Sequence, residues 1–316
     1  MTGMPQGLAL AVRDLAAGQQ GLKESAGRIS AHYRQSGASR DVIGGSTDVF
    51  AYALSRMPAT YAAVSAVLGE LQLRAHEFTP EGALDLGAGP GTAAWAVAET
   101  FPGVAATLLD HNEAFLAMAG ALAPSTTVGT IDLRRGELGV FELGRSFDLV
   151  TCAYALTELN DDEMPAVAER IWRHCSGLLV LVEPGRPRDY QRLMQVRDRL
   201  IGQGATVLAP CPHERPCPLV EPDWCHFSVR LNRSRDHMRM KGGTLGYEDE
   251  KFSYLIVARP GIGTRAPGRV LRKPDENKFS VTLAVCCKEG LEQRVVPSRD
   301  KPAFKAAKKL DWGDAV

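Results

Sequence analysis

From residue 82 onward, short apolar runs alternate with stretches in which apolar positions recur every three to four residues. The runs at 83–86, 105–109, 147–152, 178–182 and 252–258 predict buried strands. Between them, residues 92–100, 112–121, 161–175 and 187–203 carry the helical period. Strands alternating with helices of that length predict an α/β fold with a doubly wound, largely parallel sheet covered on both faces. Upstream, residues 1–78 read as helices. The clearest follows Met57-Pro58-Ala59-Thr60, where Thr60 is placed to cap and Tyr61, Val64, Val67, Leu68 and Leu71 fall on one face.

Two segments break the rhythm. Residues 210–222 hold five prolines, which exclude a helix or central strand and predict a stiff, irregular loop. After Arg259 a Gly/Pro-rich linker leads to apolar runs at 269–272, 279–286 and 293–296, expected to form a small antiparallel unit ahead of a basic tail. The expected organisation is a helical region at 1–78, a ligand-binding sheet domain at 79–259 with a Cys-rich insertion at 205–250, and a basic β unit with its tail at 260–316.

Composition changes this picture little and charge changes it more. The 316 residues are 45% hydrophobic and 23% charged, which excludes a disordered or collagen-like chain. No apolar run reaches the roughly 18 residues of a bilayer span, and Arg13 and Asp14 follow the first apolar stretch with no signal-peptide layout, so a soluble, cytoplasmic protein with no membrane partner is expected. The 37 basic and 37 acidic side chains cancel, but residues 1–185 carry 12 against 21 and residues 186–316 carry 25 against 16. A basic half points to a polyanion such as RNA. Seven cysteines without an export signal point to reduced thiols rather than a disulfide framework.

The segment Leu84-Asp85-Leu86-Gly87-Ala88-Gly89-Pro90-Gly91-Thr92 runs from a strand into a helix. Its glycines let the backbone turn tightly and approach a ligand with no Cβ in the way. It lacks the Lys-Ser/Thr ending of a nucleoside-triphosphate loop. Asp110 ends the next strand nineteen residues after Gly91, close to the spacing of a carboxylate that accepts from ribose hydroxyls. With Asp85 before the glycines, this resembles the class I methyltransferase signature more than a dinucleotide site. The resemblance implies S-adenosylmethionine held by Asp85, Gly87, Gly89, Gly91 and Asp110.

No catalytic residue is legible. After Cys152 comes Ala153-Tyr154-Ala155-Leu156-Thr157-Glu158-Leu159, where an amino-group methylase would carry Asn/Asp-Pro-Pro-aromatic. Methyl transfer can proceed by positioning two reactants in line, so the missing motif does not exclude catalysis. Tyr154 and Glu158 are candidates either to border the ligand or to pack a helix entry.

Cys211, Cys217 and Cys225 sit on the proline loop at spacings x5 and x7, and Cys286 and Cys287 offer a fourth thiol about sixty residues later. Four thiolates suit a 4Fe-4S cluster or tetrahedral zinc. No Cys-x2-Cys knuckle is present, which disfavours a zinc ribbon, while His213 and His226 keep a mixed zinc site open. Cys152 and Cys175 read as core residues.

Taken together, Arg56-Met57-Pro58-Ala59-Thr60-Tyr61, the glycine loop, Val182-Glu183-Pro184-Gly185, Cys211 to Phe227, Ser234-Arg235, the run from Lys241 to Tyr254 and Trp312-Gly313-Asp314 resemble the methyltransferase-like family associated with the small ribosomal subunit. The resemblance implies a class I methyltransferase fold, S-adenosylmethionine, a 4Fe-4S cluster on Cys211, Cys217, Cys225 and Cys286, and a partnership with the small subunit and its ribosomal RNA. It sets no oligomeric state. Two functions follow: an RNA methyltransferase, or a non-catalytic assembly factor gripping immature subunits through Arg230, Arg233, Arg235, Arg239, Lys241, Lys301, Lys305, Lys308 and Lys309.

Overall fold

The computed structural model describes residues 3–35 and 39–316. Four helices come first: α1 (Gln6–Leu15), α2 (Leu22–Arg34), α3 (Ser46–Ser55) and α4 (Met57–Arg74). Thr60 does not cap α4. The helix starts at Met57, with Pro58 in the first turn where its missing N–H has no intrahelical partner to lose, and Thr60 is buried one turn in. The spaced residues Tyr61, Val64, Val67, Leu68 and Leu71 are all buried, and so are Ala59, Ala62 and Ala63 on the other sides. A helix apolar all round is an internal helix.

Next come β1 (Gly82–Leu86), α5 (Thr92–Thr100), β2 (Ala105–Asp110), α6 (Glu113–Leu122), β3 (Thr130–Arg135), β4 (Phe147–Ala153), α7 (Met164–Arg173), β5 (Cys175–Pro184), α8 (Pro187–Gly202), β6 (Thr206–Ala209), β7 (Phe227–Asn232), α9 (Arg235–Lys241) and β8 (Tyr247–Ala258). The sheet order is β3-β2-β1-β4-β5-β8-β6, with β7 paired to the first half of β8. Strands β3, β2, β1, β4 and β5 are mutually parallel, and β8 runs antiparallel between β5 and β6. A parallel block with one reversed strand inserted before the last is the class I methyltransferase topology. Strands β3, β6 and β7 come in addition to the five that the apolar runs predict.

Alternation along the strands builds two cores. Leu178, Val180 and Val182 of β5 face a layer formed by α4, α5 and α6, while Leu179 and Leu181 face α7 and α8. The N-terminal helices therefore cover one face of the sheet. Strand order reverses between β1 and β4, which opens a crevice at the carboxyl ends of these strands, where doubly wound sheets bind ligands.

The C-terminal unit is antiparallel, as its apolar runs predict: β9 (Gly268–Val270), β10 (Asp275–Glu276), β11 (Ser280–Cys287) and β12 (Gly290–Pro297), closed by α10 (Lys301–Ala307). Arg269, 1% exposed, ties this unit to the rest. Its guanidinium donates to Pro210 O at 3.3 Å and Gly313 O at 2.8 Å and pairs with Glu70 of α4.

Candidate functional site

The glycine loop lies at the strand-order reversal. Gly87, Gly89 and Gly91 take φ of 65°, 54° and 83°, the left-handed region that glycine reaches without strain. They do so for different reasons. A Cβ on Gly87 would meet Ala155, and one on Gly91 would land on the Trp95 indole, whose Nε1 donates to Pro90 O at 2.8 Å. At Gly89 a Cβ would meet nothing within 4 Å, because that glycine faces a cavity.

Gly87, Gly89 and Asp110 line this cavity; Asp85 and Gly91 do not. Asp110 accepts from Gly89 N at 2.7 Å and Asn112 N at 2.8 Å, so one carboxylate fixes the loop and still borders the opening. Burial raises its pKa against those two hydrogen bonds. Asp85 sits beneath the loop, accepting from Ala94 N at 3.0 Å and the Thr151 hydroxyl at 2.8 Å. Burial pushes its carboxyl up to about 7. Its work is to hold the start of α5, and Gly91 does the same from the other side.

The remaining wall includes Tyr33 and Tyr52 of the N-terminal helices, Phe115, Glu137, Tyr154 and Glu158. Tyr52 and Phe115 meet edge to face at 5.0 Å. No sequence signal marks Tyr33 or Tyr52, which lie some fifty or more residues before Asp110 in the chain. Tyr154, directly after β4, is the one non-glycine residue at positive φ among the described residues, at 58°. Its hydroxyl donates to Glu250 Oε1 at 3.0 Å, while Glu158 accepts from Ser39 Oγ at 2.8 Å. Both candidates from the sequence thus border the cavity.

The turn after β4 is locked from behind. Glu183 accepts from Leu156 N and Thr157 N at 3.1 and 2.9 Å. Arg192 of α8 donates to the carbonyls of Leu156, Thr157 and Leu159, and Thr157 Oγ1 donates to Asp189 at 2.7 Å.

A second cavity lies against α8. Cys211, Cys217, Cys225 and Cys286 all line it, with Tyr190, Leu193 and Met194 of α8, His213, and Arg269. Strand alternation separates the two adjacent candidates: Cys286 faces this cavity, while Cys287 packs with Val281, Leu283 and Val285 in the core of the C-terminal unit. Arg197, 1% exposed, holds the proline loop by donating to His213 O at 2.8 Å and Arg215 O at 3.0 Å. The Tyr190 hydroxyl lies 3.0 Å from Cys217 Sγ, and His213 Nε2 lies 3.7 Å from Cys286 Sγ.

Burial raises the pKa of the Cys211 and Cys225 thiols and pushes Cys286 up to about 12, with the neighbouring sulfurs adding to it. Such thiols are neutral by themselves and become thiolates when a cation joins them. Among the described residues no three His, Cys, Asp or Glu meet closely enough to hold a single metal ion. His226 is not at this cavity: it stacks on Trp224 at 4.5 Å and meets Trp312 edge-on at 4.7 Å. Cys152 and Cys175 are buried in the core.

The basic residues divide. Arg233 and Lys241 turn inward onto Glu248, which also faces His237, so they are not presented to a polyanion. Arg230 pairs with Asp249 through two bonds of 2.7 Å, and Lys308 with Glu276 at 3.4 Å. Arg235 and Arg239 on α9, and Lys301, Lys305 and Lys309 on or beside α10, are exposed.

Residues 46–316 match the family described as "Mitochondrial small ribosomal subunit Rsm22". The chain belongs to this family. It is 28% identical over 287 residues to the human "Ribosome assembly protein METTL17, mitochondrial", a match covering 84% of this chain and 61% of that protein, so the chain spans under two thirds of the relative's length. Among solved structures, the Rsm22-family chain is similar to magnesium protoporphyrin IX methyltransferase from Synechocystis PCC 6803 with bound SAM (13% identity, 81% of this chain and 98% of that one, TM-score 0.41). It is also similar to the plantazolicin methyltransferase BpumL in complex with SAH (10% identity, 80% and 99%, TM-score 0.46). The fold assignment rests on the strand order and register of the chain itself.

Proposed function

We propose that this protein binds S-adenosylmethionine and a 4Fe-4S cluster and acts on or with the ribosomal RNA of the small subunit, in the cytoplasm. The observation that carries the reading is the gathering of four cysteines, from two segments about sixty residues apart, around one largely apolar cavity. Sulfurs that line a cavity rather than meet at a point suit several irons better than one zinc. Leu193, Met194 and the prolines of the loop would keep water from such a cluster, and Tyr190, His213 and Arg197 supply hydrogen-bond donors at its sulfurs.

The donor reading rests on the first cavity. S-adenosylmethionine supplies an electrophilic methyl group on a positively charged sulfonium. A cavity bordered by Asp110, Glu137, Glu158 and the rings of Tyr33, Tyr52 and Phe115 suits a cationic nucleoside, with Gly89 leaving room and Asp110 offering its free lone pairs to ribose hydroxyls. The assembly role comes from the family and the human relative.

A second reading, a non-catalytic assembly factor, is favoured by Tyr154. Its hydroxyl is spent on Glu250 in the place where an amino-group methylase presents its acceptor-binding motif.

Two experiments test these readings. The chain purified without oxygen is expected to be brown, with iron and acid-labile sulfide in equal amounts, and Cys217→Ser is expected to bleach it. Colourless protein carrying stoichiometric zinc would refute the cluster. Radiolabelled donor is then incubated with small subunits from a deletion strain. Label in the RNA that vanishes with Asp110→Ala marks an enzyme, and subunit binding without label marks the assembly factor.

A further inference from the structure

We propose that the turn carrying Phe279, at one end of the C-terminal β unit, is a stacking platform for an unpaired base of single-stranded RNA. The proposal rests on the RNA reading above and adds the surface that does the binding. Phe279 is 67% exposed, a large aromatic ring outside any core. Its backbone is nonetheless held on every side. Asn277 Oδ1 accepts from Phe279 N at 2.8 Å and Ser280 N at 3.0 Å, Asn277 N donates to Ser280 O at 3.0 Å, and Ser298 N donates to Phe279 O at 2.7 Å. A ring displayed on a turn this constrained loses little freedom when a ligand covers it.

The charges around the ring select the ligand. Residues 273–280 and 298–309, brought together by the Ser298–Phe279 bond and the β10–β11–β12 pairing, carry seven Lys/Arg against three Asp/Glu. Of the three carboxylates, Glu276 already pairs with Lys308, and Asp300 caps α10 by accepting from Ala303 N at 3.2 Å. Lys278 Nζ lies 4.8 Å from the Phe279 ring centroid, and Arg299, Lys301 and Lys305 are exposed with no ion-pair partner among the described residues. A protein-docking patch is poor in lysine at its centre. An exposed aromatic among lysines instead matches single-strand binding, where bases stack on rings and phosphates meet cations. A duplex hides its base faces and cannot use the ring.

The test uses the full, cluster-loaded chain and fluorescence anisotropy with dye-labelled oligouridine, beside a duplex RNA of equal length. Phe279→Leu, which keeps an apolar side chain but removes the π face, is expected to weaken single-strand binding about tenfold, and Phe279→Trp to retain it. Duplex binding is expected to be the same for all three proteins. Replacing Lys301 and Lys305 by Gln is expected to flatten the salt dependence by roughly 0.7 in slope for each phosphate no longer neutralised. If Phe279→Leu binds the single strand as tightly as the parent chain, the stacking proposal fails, the RNA reading stands, and the ring belongs to a protein partner. Equal losses on single strand and duplex also defeat it. A parent chain that binds no RNA defeats both proposal and reading.

Discussion

Replacing Arg269 by Met is expected to destabilise the chain by about 3–5 kcal/mol. The guanidinium is 1% exposed and has three partners from three parts of the chain: Glu70 on α4, Pro210 O at the start of the proline loop, and Gly313 O near the C-terminus. Met roughly fills the volume of the stem but satisfies none of them. Two carbonyls lose a charge-assisted donor, each costing about 1–3 kcal/mol if left unpaired. Glu70 loses its buried partner but keeps Arg74 Nε at 3.2 Å, which moderates the total.

The assay is a double-mutant cycle by urea denaturation on anaerobic protein. Glu70→Gln removes the carboxylate that Arg269 neutralises, so the double variant is expected to be more stable than the summed single losses imply, by at least about 1 kcal/mol. A loss below about 1 kcal/mol for Arg269→Met, or strict additivity with Glu70→Gln, would refute the view that one buried arginine joins the helical layer, the cysteine loop and the C-terminal unit.

Other outcomes follow from the two cavities. Gly91→Ala combines left-handed strain with a clash against Trp95 and is expected to cost about 3 kcal/mol in a denaturant melt. Gly89→Ala meets nothing and is expected to cost only about 1 kcal/mol, yet to abolish donor binding measured by calorimetry. Asp85 releases its proton near 3.8 when unfolded and near 7 when folded, so the native state binds more protons in between. Its contribution is fully present below the lower value and lost as pH rises through the upper one. Asp85→Asn is therefore expected to remove about 4 kcal/mol of the fall in stability between those pH values, and parallel pH–stability curves for the two proteins would count against a buried proton at this site.

Much of this architecture was legible because burial imposes periodicity. The five strands with continuous apolar runs are all present, since each is covered on both faces. Strand β3, Thr-Ile-Asp-Leu-Arg-Arg, lacks such a run because it is an edge strand whose residues are half-buried or exposed. The first half of β8 is polar because its carboxylates are used in pairs, Glu248 with Arg233, His237 and Lys241, Asp249 with Arg230, and Glu250 with the Tyr154 hydroxyl. Strand β7 does carry a readable signal, since Phe227, Val229 and Leu231 alternate inward, but it follows directly on the Cys/Pro-rich stretch and reads as a continuation of that loop. Cys286 and Cys287, adjacent in the sequence, face opposite sides of β11, so of the two it is Cys286 that borders the cavity lined by Cys211, Cys217 and Cys225.

Charge was the least legible property, and the reason bears on function. A count of arginines assigns them to the surface, whereas Arg192, Arg197 and Arg269 are each no more than 4% exposed and are occupied with main-chain carbonyls. All three fix connecting segments: the turn after β4, the proline loop and the C-terminal segment. A planar fork with five donors satisfies several carbonyls at once, which lysine cannot do. Part of the positive charge that reads as a polyanion surface is thus internal scaffolding for the two cavities. The exposed cations available to a polyanion are therefore fewer than composition implies. Mutating all basic residues of the C-terminal half together would therefore confuse unfolding with loss of binding. Arg299, Lys301 and Lys305 can be changed with the fold intact, and their effect on RNA affinity, set against the effect of Arg269 on stability, separates the two uses of charge.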